Sequence, residues 1–173
     1  MPWLRHPMGR ENNGVACLAT CMTQIYHTYS DYSCHPENGA AYAYIVATYK
    51  PTTILRMRSH RCGQVESQVG ELMGIIAALK HVPEGCQAVV HCDIYDIENF
   101  IDKPLEKVKG VFREPLRQLR KQTERLKVRF RYIPRDSRND FFRWCHGQAR
   151  QRCQLSVGPR WKQTQEIMEK YRG

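Results

Sequence analysis

The sequence predicts an α/β fold: a mixed five-stranded sheet, made of a three-stranded antiparallel meander plus two parallel strands, with helices on both faces. Two patterns lead to it. Three β-rich runs, Thr23–Asp31, Ala40–Lys50 and Thr53–His60, follow one another with short turns between them, and short links join antiparallel neighbours. From residue 67 onward the apolar period becomes that of a helix, and helical stretches then alternate with two more strand-like runs, at 87–93 and 128–132. Strands separated by helices need crossover connections, which implies a mixed sheet covered on both sides. With 173 residues, 42% of them apolar, a single domain can bury a substantial core.

Each element has a local cause. The run from Thr23 (TQIYHTYSD) is rich in β-branched and aromatic residues, and Asp31 is expected to close it and open a turn. Pro36 and Asn38-Gly39 break regular structure before the second strand, and Pro51-Thr52 links the second strand to the third. Ser67 is the expected N-cap of the first helix, whose Leu72, Ile75, Ile76 and Leu79 share one face. Pro83-Glu84-Gly85 ends that unit; a buried strand (Gln87 to Asp93) and a short helix near Tyr95 to Ile101 follow. Residues 102–112 read as a basic loop, and Glu114-Pro115 as the start of a helix with Leu116, Leu119 and Leu126 on its apolar stripe. Val128, Phe130 and Tyr132 alternate with Arg129 and Arg131, giving a strand with one apolar and one cationic face. Asn139 caps a helix running to about Gln151, and a last helix spans roughly Arg160 to Tyr171. The expected organisation is an N-terminal extension at 1–22, the domain at 23–152 and a C-terminal helical extension at 153–173.

No run approaches the ~18–20 apolar residues that cross a bilayer, and Met1 to Pro7 lacks the apolar core of an export signal, so a cytoplasmic address without a membrane partner is expected. The eight cysteines are scattered, and reduced thiols are the expectation in that compartment. Cys17-x-x-x-Cys21 and Cys34-His35 resemble fragments of a zinc site but lack the two tight ligand pairs such a site needs. The net charge of +10 is unevenly spread. Residues 1–102 hold seven basic against ten acidic side chains, residues 103–138 thirteen against four, and residues 139–173 seven against three. An acidic part joined to a strongly basic one suits a phosphate backbone gripped beside a metal site; a solvated cationic face is the other reading.

Three acids stand out by their setting. Asp31 follows a strand, Glu71 lies in the first turns of an amphipathic helix, and Asp93 ends the apolar run AVVHCD. Carboxylates at the C-terminal ends of strands are where α/β sheets do chemistry. Three oxygen ligands brought together hold hard divalent cations, and paired cations can activate water for phosphodiester cleavage. Strand-end acids also occur in any protein of this size without such a role.

The order of elements and motifs resembles type 1 ribonuclease H and the ribonuclease H-like superfamily. Ser30-Asp31-Tyr32-Ser33-Cys34 and Asn38-Gly39-Ala40-Ala41-Tyr42 look like the family's first strand end and Gly-rich turn. Glu71-Leu72-Met73-Gly74-Ile75-Ile76-Ala77-Ala78-Leu79 is similar to its first helix, Cys92-Asp93-Ile94 to the end of its fourth strand, and Val128 to Arg135 to its last strand and loop. Over about residues 23–152 the resemblance implies Asp31, Glu71 and Asp93 as metal ligands. It also implies Mg²⁺- or Mn²⁺-dependent cleavage of the RNA strand of an RNA–DNA hybrid. The partner is then an RNA–DNA hybrid or another nucleic acid, held by Lys107, Lys109, Arg113, Arg117, Arg120, Lys121, Asn38 and Arg143 in an expected monomer.

The chain departs from the family at the fourth carboxylate. The family places an aspartate four residues after the asparagine that opens the last helix, and here that position is Arg143. Asp140 is the nearest candidate for the missing catalytic acid, with Asp136 in the preceding loop, and neither is in register. His146, one turn beyond Arg143, reads first as an ordinary helix residue. Tyr32 stands where the family has glycine. A weakly catalytic or inactive nucleic-acid-binding module therefore stays open as an alternative to an endoribonuclease, and a related DNA exonuclease as a third reading.

Overall fold

The structure, a computed structural model, describes residues 24–50 and 52–172. Strand β1 (Ile25–His35) pairs antiparallel with β2 (Gly39–Thr48), which pairs antiparallel with β3 (Thr53–Cys62). On its other edge β1 pairs in parallel with β4 (Gln87–Cys92), and β4 in parallel with β5 (Lys127–Tyr132). The sheet order is β3-β2-β1-β4-β5, the mixed sheet that the element order implies.

Strand alternation divides the core in two. On β2, Tyr44 and Val46 face one layer, with Leu72, Ile75, Ile76 and Leu79 of α1 (Ser67–Leu79) and Leu116 and Leu119 of α3 (Gly110–Arg125). Short helix α2 (Ile97–Asp102) adds Ile97 and Ile101 to that layer. Ala43, Ile45 and Ala47 face the other layer, with Phe141, Phe142 and Trp144 of α4 (Asp140–Arg152) and Trp161 and Met168 of α5 (Arg160–Lys170). The four aliphatic positions read as one face of α1 are all buried, each stabilising the fold by about 1.5–3 kcal/mol.

The boundaries differ from the expected ones in ways that matter for the site. Asp31 does not close β1. The strand continues to His35, because antiparallel pairing with β2 persists to His35↔Gly39, and Gly39 takes the left-handed φ of +83° after the turn. Helix α1 begins at Ser67 with Glu66 in the cap position, and Ser67 does not serve as the cap. Helix α3 starts one turn earlier than Pro115, at Gly110, leaving Pro115 inside it. Buried Phe112 and Val108 anchor that extra turn, and the carbonyl of exposed Val111, which loses its partner to the proline, can turn to water. Asn139 does cap α4, its side chain accepting a hydrogen bond from the Phe142 N–H at 3.0 Å.

Of the described cysteines, 34, 62, 92, 145 and 153 are free thiols, whereas Cys86 is disulfide-bonded and departs from the reduced expectation. Cys17 and Cys21 lie outside the described residues.

Tyr32 is buried against α1. A Cβ added at Gly70 would sit 2.2 Å from its ring, so the tyrosine and the missing side chain of Gly70 form one fitted contact. The Tyr32 hydroxyl also donates to the Val65 carbonyl at 3.1 Å. Gly70→Ala is expected to destabilise the fold by about 1–3 kcal/mol through overpacking. In a Tyr32→Gly background the same Gly70→Ala change should cost much less, the difference being read as a double-mutant cycle in thermal or urea unfolding. A Gly70→Ala protein as stable as the parent would refute the contact.

Candidate metal centre

The parallel register of β1 and β4 builds the site. Its last pair is Tyr29↔His91, whose rings stack with centroids 4.3 Å apart. Two residues further along each chain come Asp31 and Asp93, so the two carboxylates emerge side by side beyond that stacked pair. Glu71 reaches them from α1, on the first buried turns of a helix that lies close over β1. A Cβ at Gly74 of that helix would come within 3.0 Å of Ser30. Carboxylate oxygens of Asp31, Glu71 and Asp93 all lie within 4.8 Å of one another, and all three side chains are buried.

Two cationic or imidazole groups face this cluster. The His146 Nδ1 lies 2.8 Å from Asp31 Oδ2, and the Arg135 Nε donates to Asp93 Oδ2 at 3.0 Å. Glu71 has no ion-pair partner among the described residues. The cleft holding the acids has a volume of about 280 Å³ and is further lined by Tyr32, Ser67, Phe142 and Arg150.

The electrostatics of this arrangement follow from burial. The Asp31 carboxyl is pushed above its usual range, chiefly by desolvation and further by Asp93, while the His146 hydrogen bond opposes the shift. Glu71 is pushed well above the carboxylate range by burial and then by the charges of Asp31 and Asp93, against a hydrogen bond from the Tyr32 backbone. Two full negative charges this close repel by about 3 kcal/mol at an effective dielectric constant of about 20. One neutral hydrogen bond contributes about 1 kcal/mol, so it does not offset that repulsion. A divalent cation among the three oxygens would, and the donor set of hard carboxylates fits Mg²⁺ or Mn²⁺.

The other expected site residues are scattered. Asp140 is not brought to the cluster. It lies 3.8 Å from the Arg143 guanidinium on the same helix, and neither residue lines the acidic cleft. Arg143 also donates from Nε to the Ser137 carbonyl at 3.1 Å. Instead, the face of α4 that meets Asp31 presents His146, three residues and one turn further on. Packing of Phe141, Phe142 and Cys145 of α4 against the sheet turns position 146 rather than 143 toward Asp31.

Among the basic residues around α3, Arg120 is committed to structure. Its guanidinium donates to the Ile101 carbonyl at 2.6 and 2.8 Å and to the Lys103 carbonyl. Lys109 pairs with Glu66 at 2.7 Å and Arg117 with Glu114, both at exposed sites. Lys107, Arg113 and Lys121 are exposed with no such pairing. Asn38 lies in the β1–β2 turn, its carbonyl accepting from Arg61 at 2.6 Å. His146 and Arg135 are the site residues that sequence reasoning passed over. The signal for His146 was its position one helical turn after the vacant carboxylate position; Arg135, on a loop, left no periodic signal.

No protein-family model and no curated protein matches this chain. Among solved structures, it is similar to the N-terminal RNase H domain of a Mycobacterium tuberculosis protein. The match has a TM-score of 0.61 at 17% identity and covers 76% of this chain and 98% of that one. It is also similar to LC9-RNase H1, described as a type 1 RNase H with the type 2 active-site motif. There the TM-score is 0.63 at 13% identity, over 82% of this chain and 80% of that one. A third match is LC11-RNase H1, solved in complex with an RNA/DNA hybrid, with TM-score 0.54 at 19% identity, covering 64% and 86% of the two chains. The fold is that of ribonuclease H domains.

Because the folded-state pKa values of Asp31 and Glu71 lie above the unfolded ones, the folded protein keeps protons that the unfolded chain has lost. Stability without metal therefore falls as pH rises from about 4 through the raised values. Glu71→Gln is expected to be more stable than the parent at neutral pH, with the difference vanishing toward pH 4. Mn²⁺ should raise the parent's melting temperature more at high pH than at low pH and leave Glu71→Gln nearly unmoved. A melting temperature insensitive to Mn²⁺ across that range would count against the metal centre.

Proposed function

We propose that this chain is a divalent-cation-dependent endonuclease that cleaves the RNA strand of RNA–DNA hybrids. The observation that carries this reading is the convergence of three buried carboxylates from β1, α1 and β4 within 4.8 Å. The Arg135 guanidinium balances one of the three negative charges, Glu71 has no ion-pair partner among the described residues, and a stability-driven core would not retain such a cluster. The ribonuclease H fold and the likeness to LC11-RNase H1, solved with a hybrid, support the choice of substrate.

Asp31, Glu71 and Asp93 would hold Mg²⁺ or Mn²⁺. Bound there, paired divalent cations activate water and stabilise the leaving oxygen of a phosphodiester. The protein's own groups supply the rest. Arg135, fixed on Asp93, keeps positive charge at the mouth of the cleft, where a phosphate is stabilised as its charge grows. His146, hydrogen-bonded to Asp31, would offer a ring nitrogen where the family this chain resembles has its fourth carboxylate. Mg²⁺ favours oxygen over nitrogen, and the more strongly nitrogen-binding Mn²⁺ is expected to be the better activator.

A binding module without catalysis is the second reading, favoured by the turn of Asp140 toward Arg143 and away from the acids. Cleavage of a labelled hybrid separates the two. The expected result is RNA-strand cleavage, faster with Mn²⁺ than Mg²⁺ and reduced by at least a hundredfold in Asp31→Asn, with folding retained. His146→Asp should shift the preference toward Mg²⁺, whereas Arg143→Asp should give no gain. Tight hybrid binding with no cleavage under either cation would replace the enzyme reading with the binding module.

A further inference from the structure

Beside the acidic cleft, α4 and α5 enclose a second cavity of about 170 Å³, and its lining has an unusual charge pattern. Arg135, Arg143, Arg150 and Arg160 line it together with Phe142, His146, Trp161 and Thr164, and no acid does. It is continuous with the acidic cleft, because Arg135, Phe142, His146 and Arg150 line both.

The helix that closes this cavity is held by a specific fit. Trp161 sits on α4 where Gly147 has no side chain; a Cβ there would lie 2.2 Å from the indole. The linking turn is tied down by Arg150, whose Nε donates to the Ser156 carbonyl at 2.9 Å, and by the Leu155 N–H on the Arg150 carbonyl at 3.0 Å. That bond uses one of the five N–H groups of Arg150 and leaves the two terminal amino groups of its fork. The Arg160 guanidinium forms no hydrogen bond or ion pair among the described residues; only its carbonyl is engaged, accepting from the Thr164 hydroxyl at 3.0 Å. Arg135 and Arg143 each have one carboxylate neighbour, Asp93 and Asp140, outside this cavity's lining. Four guanidinium groups around so small a space repel one another, and a planar fork is the side chain best matched to phosphate oxygens.

We infer that the α4–α5 cavity binds a backbone phosphate of the nucleic acid close to the one held at the acidic cleft. Arg150 and Arg160 are its principal ligands, and Trp161 and Phe142 wall it from water. The inference rests on the nucleic-acid reading above and adds a grip separate from the α3 surface. It also gives α5 a role: the helix supplies Arg160 and Trp161, two elements of the cavity.

The test is hybrid binding in EDTA, where cleavage is suppressed, measured by fluorescence anisotropy over a salt series for the full chain. Both arginines line the same cavity and would meet the same phosphate. Arg160→Gln and Arg150→Gln/Arg160→Gln are therefore each expected to weaken binding at least severalfold. Each should flatten the log Kd against log salt slope by about one unit, the double variant little more than the single. Arg160→Gln breaks no described contact, so its folding is secure, and unchanged tryptophan fluorescence checks that α5 stays docked. A slope and affinity equal to the parent's in both variants overturn the proposal even if the parent cleaves hybrids. Loss of inorganic-phosphate binding with hybrid binding intact also overturns it, because the cavity then takes a free anion. A parent that fails to bind the hybrid overturns both this inference and the hybrid reading. Loss of cleavage alone in Asp31→Asn bears only on the metal centre.

Discussion

The parallel pairing of β1 and β4 is the constraint on which the rest depends. It brings Tyr29 and His91 face to face, and two residues beyond them come Asp31 on β1 and Asp93 just past the end of β4. A slip of one residue in this pairing would send one carboxylate to the opposite face of the sheet and leave the other without its neighbour. The stacked rings beneath the site oppose such a slip. His91 is buried and neutral, its pKa lowered to about 3 by desolvation and by neighbouring His27 and Arg131. The aromatic layer therefore adds no charge of its own to the acids above it.

Close approach within both helix layers rests on small residues, between α1 and β1 on one face and between α4 and α5 on the other. Gly70 and Gly74 on α1 admit Tyr32 and Ser30, which lowers Glu71 toward Asp31. On the other face Gly147 admits Trp161 and so fixes α5 against α4, next to His146. In this way backbone approach, decided by three missing side chains, sets which charged groups meet. The result is a gradient along one surface, with three acids in one cleft and four arginines in the next. A polyanion needs both parts: the acids to recruit cations, the arginines to hold phosphates against the repulsion of those acids.

The basic character of the chain is thus less uniform in use than in composition. Residues 103–138 hold thirteen basic side chains, yet Arg120 and Arg125 spend theirs on carbonyls of α2, α1 and the loops that follow them. Those bonds lock α3 to the body of the domain. Three of the four arginines of the α4–α5 cavity, Arg143, Arg150 and Arg160, come instead from the C-terminal part, where the excess of basic residues is smaller but their placement is convergent.

Much of this was legible in the sequence. The β-rich composition of the first three runs and the short turns between them, the change to a period of 3.6 at residue 67 and the i, i+3, i+4, i+7 face of α1 determined the sheet, its helices and the buried side of α1, because composition and local periodicity report burial directly. The acids Asp31, Glu71 and Asp93 were legible too, as carboxylates at structural junctions within a known order of motifs. What only the tertiary structure decided were the contacts across elements. Asp31 lies within its strand because pairing to β2 outlasts pairing to β4. His146 rather than Arg143 or Asp140 meets the acids because the rotation of α4 on the sheet is fixed by packing, which no sequence spacing reports. Arg120 and Arg160 look alike along the chain, yet one is spent on carbonyls and the other faces a cavity. A side chain's charge is written in the sequence, but its partner is set by the elements that fold against it.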